Sequence, residues 1–252
     1  MLRVVLKECG LFLGIEHNTT THLEKWVSAF GGFCGIAMCY FIANVYFASD
    51  QLIFLTTSIG ASAVLIFAAP HSALSQPWPV MGGHLISALI GVSCQQWLPI
   101  PFLTAPAAVG LAIIAMYYLR CLHPPGGATA LFAVIGGPNI HAMGFAYVYE
   151  GVLLNCVALL SLGVLFNACF CWRRYPAHAF YGSANHQTKP KPQQALPDEI
   201  HLSQEDLNAA LNTMNSFIDV SPEDLSTLFE LATINAKGRM LVSTDTLRRQ
   251  NK

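Results

Sequence analysis

The sequence predicts an all-α protein that crosses a lipid bilayer several times, and composition and charge placement are the observations that predict it. Of the 252 residues, 54% are hydrophobic and 11% are charged, whereas an average soluble domain is roughly 25% charged. From Trp26 to Trp172 the formally charged side chains are Asp50, Arg120 and Glu150 alone. A soluble fold of that size needs a far more polar surface. The formal net charge of −1 also excludes the basic surplus that nucleic-acid binding requires.

Six apolar segments are candidates for membrane helices, since a hydrocarbon core about 30 Å thick takes roughly 20 apolar residues per helix. Their apolar runs are continuous and not alternating, which favours helices over barrel strands. The fifth segment is short for a complete crossing. The segments are Trp26–Phe47, Gln51–Ala69, Val80–Leu98, Phe102–Leu122, Gly126–Gly137 and Phe145–Trp172.

The placement of lysine and arginine predicts the orientation, because these residues are enriched on the cytoplasmic side. Basic residues precede the first segment and follow the last, so we expect both termini in the cytoplasm and an even number of crossings. Six crossings form two inverted halves of three segments each and place Arg120 on the cytoplasmic side. The alternative is four crossings, with Gln51–Ala69 and Gly126–Gly137 as re-entrant segments, which would place Arg120 outside. The basic residues are Arg3, Lys7, Lys25, Arg173 and Arg174.

A change of composition after Tyr175 divides the chain into three predicted parts. The first is a cytoplasmic segment without a recognisable cleavable signal peptide, and the second is the transmembrane domain. The third is a cytoplasmic tail, with a linker at Lys189–Pro197 and two helices predicted by capping residues at Ser203 and Ser221. These parts are residues 1–25, 26–175 and 176–252.

The run Arg120–Ala130, RCLHPPGGATA, predicts a broken helix. A residue before proline is pushed out of the α region, so the fourth segment stops near Leu122 and a new helix begins after the prolines. The positive end of that new helix, at His123, favours an anion. The alternative is a proline-kinked connection whose glycines serve close packing. The candidate anion-binding residues are His123, Gly126, Gly127, Ala128 and Thr129, with Arg120 at the mouth.

A weaker copy of this motif lies in the second segment. Gly60–Ala63 (GASA) aligns with Gly127–Ala130 (GATA), so that Ser62 corresponds to Thr129. Each copy falls in the middle segment of its half. Interrupted segments at corresponding places of two inverted halves are the best sequence pointer to a transport site. Ser62 is therefore a further candidate for substrate binding.

Gln76–His84, QPWPVMGGH, lies between the two copies and places His84 just inside the third segment. An ionisable residue at membrane depth marks a substrate or proton path. The alternative is that His84 is a hydrogen-bonded packing residue, and the sequence does not decide between the two roles. We include His84 among the candidate site residues.

The remaining chemistry-bearing residues form no recognisable catalytic set. The sequence shows no nucleophile–base pair, metal-ligand cluster or phosphate loop, so we expect no enzyme activity, catalytic residue, metal or cofactor. The eight cysteines are expected to act as small buried hydrophobic residues.

Three motifs, present without gaps, resemble the HPP integral membrane family, which is named for a His-Pro-Pro motif. They are Cys121–Leu131 (CLHPPGGATAL), Ile59–Phe67 (IGASAVLIF) and Gln76–His84. The resemblance extends over about residues 20–176. It implies a four-helix membrane protein with a transport role, and plastid and cyanobacterial members are described as nitrite transporters. Nitrite is a small monoanion and would fit the site predicted at the helix N-terminus. Nitrate, formate and chloride would fit that site as well.

Two classes of function follow. The first is a transporter or channel for a small monovalent anion, nitrite first, that acts as a homo-oligomer in a bacterial inner membrane. The second is a non-transporting scaffold or sensor that signals through its cytoplasmic helices. An intramembrane enzyme built on His84 and His123 is disfavoured, because no acid or nucleophile accompanies them. The expected partners are the lipid bilayer, the anion and further copies of the chain, and no nucleic acid.

Overall fold

A computed structural model describes residues 12–13, 20–46, 57–98, 100, 102–177 and 229, and the helices from His22 to Ala168 belong to one unit, Thr21–Lys191. Every regular element in the described part is helical, which confirms the all-α prediction. The predicted linker and tail helices lie outside the described residues. The elements are α1 (His22–Tyr46), α2 (Thr57–Ala68), a 3₁₀ turn (Ala73–Ser75), α3 (Pro77–Trp97), α4 (Thr104–Tyr118), α5 (Pro124–Ile135), α6 (Pro138–Met143), a π-helical segment (Tyr147–Leu153) and α7 (Leu154–Ala168).

Prolines set the start of two helices. Pro77 follows the N-cap residue Gln76 of α3, and Pro124 and Pro125 open α5 after His123. Proline suits the first turn, where its missing N–H would have no intrahelical partner. It also forces the residue before it into the extended region, and His123 has φ −142° and ψ 106°. The predicted break at His123 is therefore present, although α5 begins at the prolines and not after them.

The fourth segment ends earlier than predicted. α4 stops at Tyr118, and Arg120 adopts a left-handed conformation with φ +54°. The Cys121 N–H donates to Met116 O at 2.9 Å and the Arg120 N–H to Tyr117 O at 3.1 Å. This pair of bonds defines a Schellman C-cap. The helix thus ends at its own cap, before the prolines can act on it.

Successive segments alternate in direction. At one end of the bundle, Trp78 Nε1 at the start of α3 donates to Leu119 O after the end of α4. Trp97 and Phe145 lie with ring centroids 6.0 Å apart at the opposite end. Alternation agrees with the placement of Arg120 that six crossings require.

The lengths of the helices do not confirm six complete crossings. Only His22–Val45 and Tyr147–Ala168, among the described residues, are both long and apolar enough to cross a membrane. α2 and α5 have 12 residues each, or about 18 Å at 1.5 Å per residue, against a hydrocarbon core of about 30 Å. The number of crossings stays a prediction.

A buried ion pair joins the first turn of α1 to the chain after α7. Arg173 Nη2 lies 2.6 Å from Glu24 Oε1, and the Arg173 side chain has no exposed surface. Its other N–H groups donate to Phe67 O at 3.0 Å and to Asn167 Oδ1 at 3.1 Å, while Trp172 Nε1 donates to Glu24. The two chain ends of the bundle therefore lie on the same side, as an even number of crossings requires.

The loop after α2 packs against the chain that follows Arg173. The Arg174 N–H donates to His71 Nε2 at 3.2 Å. Burial, together with the positive charge of Arg174, lowers the pKa of His71 from its ordinary value. A neutral ring keeps the acceptor nitrogen that this bond needs. The Tyr175 hydroxyl donates to Ser75 O at 2.9 Å, and its burial raises its pKa.

Replacing Arg173 by glutamine should lower the free energy of unfolding by about 3 kcal/mol or more, because it leaves a buried carboxylate without its partner. Arg174→Gln changes the neighbouring, exposed side chain and should cost less than about 0.5 kcal/mol. Thermal unfolding of the two variants in detergent measures the difference. Equal stability would contradict the structural role of the ion pair.

Candidate functional site

Five polar side chains meet in the interior of the bundle, where α2, α3 and α5 pack together. The group comprises Ser58, Ser62, His84, His123 and Thr129, and each is at most 1% exposed. We call these five residues the histidine–hydroxyl cluster. An apolar interior supplies no water to such groups, so each must find its partner within the protein.

Ser62 bridges the two histidines. Its Oγ lies 2.7 Å from His84 Nε2 and 2.8 Å from His123 Nε2. The rings are 5.0 Å apart between centroids and 65° from parallel. One hydroxyl on α2 therefore contacts histidines from two other elements, the body of α3 and the N-cap of α5.

The second nitrogen of each ring also has a partner. His84 Nδ1 lies 2.7 Å from Thr129 Oγ1 on α5, and His123 Nδ1 lies 2.8 Å from Leu74 O in the loop after α2. Thr129 Oγ1 is in turn 2.9 Å from Ser58 Oγ. All four ring nitrogens thus bond to uncharged groups.

The aligned residues of the two sequence copies occupy equivalent places. Ser62 holds one nitrogen of His84, and Thr129, its counterpart, holds the other. Each hydroxyl also lies near the carbonyl four residues earlier in its helix, Ser58 O at 3.1 Å and Pro125 O at 3.3 Å. The weak repeat in the sequence therefore corresponds to two hydroxyls that contact the same histidine ring.

The hydrogen-bond inventory assigns the protons when both rings are neutral. A carbonyl only accepts, so His123 Nδ1 carries a proton and Nε2 is an acceptor. Ser62 gives its single proton to His123 Nε2. His84 Nε2 must then donate to Ser62, which leaves His84 Nδ1 to accept from Thr129. The Nδ1–H tautomer of His123 and the Nε2–H tautomer of His84 together satisfy all four bonds.

Glycines bring the helices close enough for these bonds. A Cβ atom at Gly83 would lie 2.6 Å from His123 Cβ, and one at Gly126 would lie 2.8 Å from Gly83 O and 2.9 Å from Ser87 Oγ. At Gly91 it would lie 2.6 Å from Ala130 O. Small residues permit such close packing of membrane helices. The contact between α3 and α5 that places the cluster therefore depends on these three positions.

The other predicted site residues lie beside the cluster. Gly126 is buried, and its N–H donates to His123 O at 2.8 Å. Gly127 and Ala128 belong to α5 itself, so their N–H groups point along the helix to the carbonyls of the preceding turn. Arg120 is exposed at the end of α4. The structure thus brings Ser62, His84, His123 and Thr129 together and leaves Arg120 outside the cluster.

Sequence reasoning did not identify two members of the network, Ser58 and the carbonyl of Leu74. Ser58 lies one helical turn before Ser62, on the same face of α2, and that spacing is the signal that could have identified it. Nothing in the sequence singles out the backbone carbonyl of Leu74. Its position depends on how the loop after α2 folds.

The chemistry of the cluster is that of hydrogen bonding and proton exchange. Two imidazoles and three hydroxyls can donate, accept and pass protons. In the part of the chain that the structure describes, no three or more His, Cys, Asp or Glu side chains form a group suited to a metal.

These elements define a helical membrane protein with a buried polar cluster between three of its helices. The family model described as "HPP, transmembrane region" matches residues 17–176, and the chain belongs to that family. The resemblance seen in the sequence motifs is confirmed, over nearly the same residues.

Two curated proteins of Dictyostelium discoideum are similar to the chain, and both are named as transmembrane proteins. One is 35% identical over 156 residues, covering 60% of this chain and 49% of the relative. The other is 33% identical over 157 residues, covering 61% and 54%. The matched region thus spans about half the length of each relative. No solved structure matches the chain.

Gly126→Ala and Gly127→Ala form a matched test of the packing that supports the cluster. Alanine at position 126 meets Gly83 and Ser87 and should destabilise the protein by about 1–3 kcal/mol. The nearest atom to a Cβ at position 127 is Val109 Cγ1, at 3.9 Å. Alanine there should be neutral or stabilise by up to about 1 kcal/mol through helix propensity. Thermal unfolding of the two variants in detergent measures the difference in stability. A Gly126→Ala variant as stable as the wild type would contradict the close packing.

Proposed function

We propose that the protein is a transporter or channel for a small monovalent anion, with nitrite as the leading candidate. The observation that carries the proposal is the pair of equivalent hydroxyls, Ser62 and Thr129, on two half-length helices that hold opposite nitrogens of His84. Buried polar sites at interrupted helices in corresponding halves are typical of transporters. Membership of a transmembrane family supports the same class.

The substrate would be bound chiefly by side chains. Pro124 and Pro125 have no N–H to offer, and the Gly126 N–H is already bonded to His123 O. The remaining donors are the ring N–H groups of His84 and His123 and the hydroxyls of Ser62 and Thr129, which would exchange partners within the cluster for the anion. Gly126, Gly127 and Ala128 would line the approach, and Arg120 would raise the local anion concentration at the mouth.

The described arrangement corresponds to an occluded state under this proposal. Neither histidine has exposed surface, so the anion reaches the cluster only when α2 or α5 moves. Both are short helices, and α5 begins at an extended residue, His123. Movement of a half-length helix about such a break would open the site to one side at a time.

The membrane and the assembly are part of the proposal. We propose a bacterial inner membrane with both termini cytoplasmic, supported by the lysine and arginine placement and by the Glu24–Arg173 pair, which joins the two ends. The relatives come from Dictyostelium discoideum and give a bacterial membrane no further support.

A homo-oligomer is proposed as well, since Gly32 and Gly60 face open space where a second copy could pack. Native mass measurement in lipid nanodiscs tests it, and a monomer would exclude it.

Purified full-length protein in liposomes should pass nitrite faster than protein-free liposomes under a nitrite gradient. Nitrous acid crosses bilayers unaided, so the assay belongs at mildly alkaline pH with the protein-free rate subtracted. Absence of flux for nitrite, nitrate, formate and chloride alike would favour the alternative, a scaffold or sensor.

Ser62→Ala should lower nitrite flux about tenfold or more, because it removes the partner of two buried ring nitrogens and each lost bond costs about 1–3 kcal/mol. Ser93→Ala is the matched control. Ser93 Oγ also donates to the carbonyl four residues earlier, Leu89 O at 2.7 Å, but it lies away from the cluster on α3. Equal flux in the two variants, normalised to folded protein, would place the transport path elsewhere.

A further inference from the structure

The Ser62 hydroxyl has one proton and three neighbours that can accept it. These are His84 Nε2 at 2.7 Å, His123 Nε2 at 2.8 Å and the carbonyl oxygen of Ser58 at 3.1 Å. With both rings neutral, the proton goes to His123 Nε2 and the Ser58 carbonyl is not needed. That third contact is a spare acceptor built into the cluster.

A second proton arrangement uses the spare acceptor. If His123 gains a proton at Nε2, both Nε2 atoms donate to the two lone pairs of Ser62 Oγ. Ser62 then turns its own proton to Ser58 O. His123 Nδ1 still donates to Leu74 O, and His84 Nδ1 still accepts from Thr129. Rotation of one hydroxyl satisfies every bond in the protonated state, and no ring has to move.

The protonated pair would carry a buried positive charge with no described charge in contact with it. Burying a charge without a counter-charge is costly. A small anion beside the rings removes that cost, and the charged pair in turn attracts the anion. Binding of the proton and binding of the anion are then linked, each favouring the other.

The other titratable and charged residues on the surrounding elements do not supply the counter-charge in the described part of the chain. α2 contributes only hydroxyls, and α5 contributes no titratable side chain after His123. Glu150 is exposed, and Arg120 is exposed at the end of α4. Tyr147, Cys94, Cys121 and Cys156 are buried neutral groups, and Glu24 is occupied by Arg173.

We propose that the Ser62-bridged pair of His84 and His123 takes up one proton together with the anion, so that the anion crosses the membrane with a proton and no net charge moves. This inference rests on the proposed anion transport. The proton comes from water on the side of entry, forms an N–H bond at His123 Nε2, and returns to water on the other side when the anion leaves.

The test uses the full-length protein in liposomes that contain a pH-sensitive dye. Nitrite entry should acidify the interior by about one proton per anion after the protein-free rate is subtracted, and a clamped membrane potential should leave the rate unchanged. An inward proton gradient alone should accumulate nitrite. Nitrite flux without proton movement, or flux that follows the membrane potential, would overturn proton coupling and leave anion transport intact.

A binding measurement separates failure of the inference from failure of transport. In weakly buffered detergent solution, added nitrite should be accompanied by uptake of about one proton per chain, which linkage requires whether or not flux occurs. Nitrite binding without proton uptake, or no nitrite binding, would overturn the inference. Absence of flux with proton-linked binding would remove only the transport function.

Variants locate the proton. His123→Asn keeps an N–H for Leu74 O and His84→Gln keeps one for Ser62, but neither amide titrates. His123→Asn should lower nitrite-linked proton uptake at least tenfold. His84→Gln should keep it, because His84 donates from Nε2 to Ser62 in both proton arrangements. His141→Gln is the control, since His141 Nε2 bonds to Val134 O outside the cluster, and it should keep wild-type uptake. Undiminished uptake in His123→Asn would overturn the placement of the proton on the pair, and if that variant does not fold, the wild-type stoichiometry still decides.

Discussion

The structure depends on one requirement, that both nitrogens of His84 find partners in a place where water is absent. Ser62 and Thr129 meet that requirement from two different helices, α2 and α5. Both helices must therefore approach α3 within hydrogen-bond distance, and the glycines at 83 and 126 allow it where any side chain would collide. A buried polar group that is fully bonded fixes a unique arrangement, because every alternative leaves a costly unpaired atom. The cluster thus determines the packing around it.

Much of this arrangement was predictable because it rests on local rules. Proline geometry predicts the break at His123, and an apolar run without charges predicts a membrane helix. The alignment of Ser62 with Thr129 identifies two residues that contact the same ring, and His84 stood out as an ionisable residue within an apolar segment. What the sequence could not decide was the role of His84 as the common partner, since that depends on three helices meeting. The anion site predicted at the N-terminus of α5 assumed free N–H groups, whereas Gly126 already bonds to His123 O.

The differences in the fold arise where tertiary contacts or a local cap override a sequence rule. α4 ends at a Schellman cap with Arg120 in the left-handed region, a position that glycine would ordinarily occupy. Arg173 is one of the basic residues that predict the orientation, and the structure buries it against Glu24. The sequence alone gives no sign of that distant partner. The six-residue helix α6 is too short to produce a periodic signal. Composition and charge placement predict the membrane class, and the family match confirms it.

The two buried polar sites of the bundle differ in what they can do. Arg173 and Glu24 form an ion pair at 2.6 Å, in which each charge balances the other, and this site joins the ends of the bundle. The histidine–hydroxyl cluster has neutral partners on all four ring nitrogens and a spare acceptor at Ser58 O, so two proton arrangements fit the same atomic positions. A site that can change its charge without repacking is suited to bind a charged ligand, because its own protonation requires no rearrangement of the packed side chains. The Glu24–Arg173 pair is therefore suited to stabilising the fold, and the histidine–hydroxyl cluster is suited to binding and proton exchange.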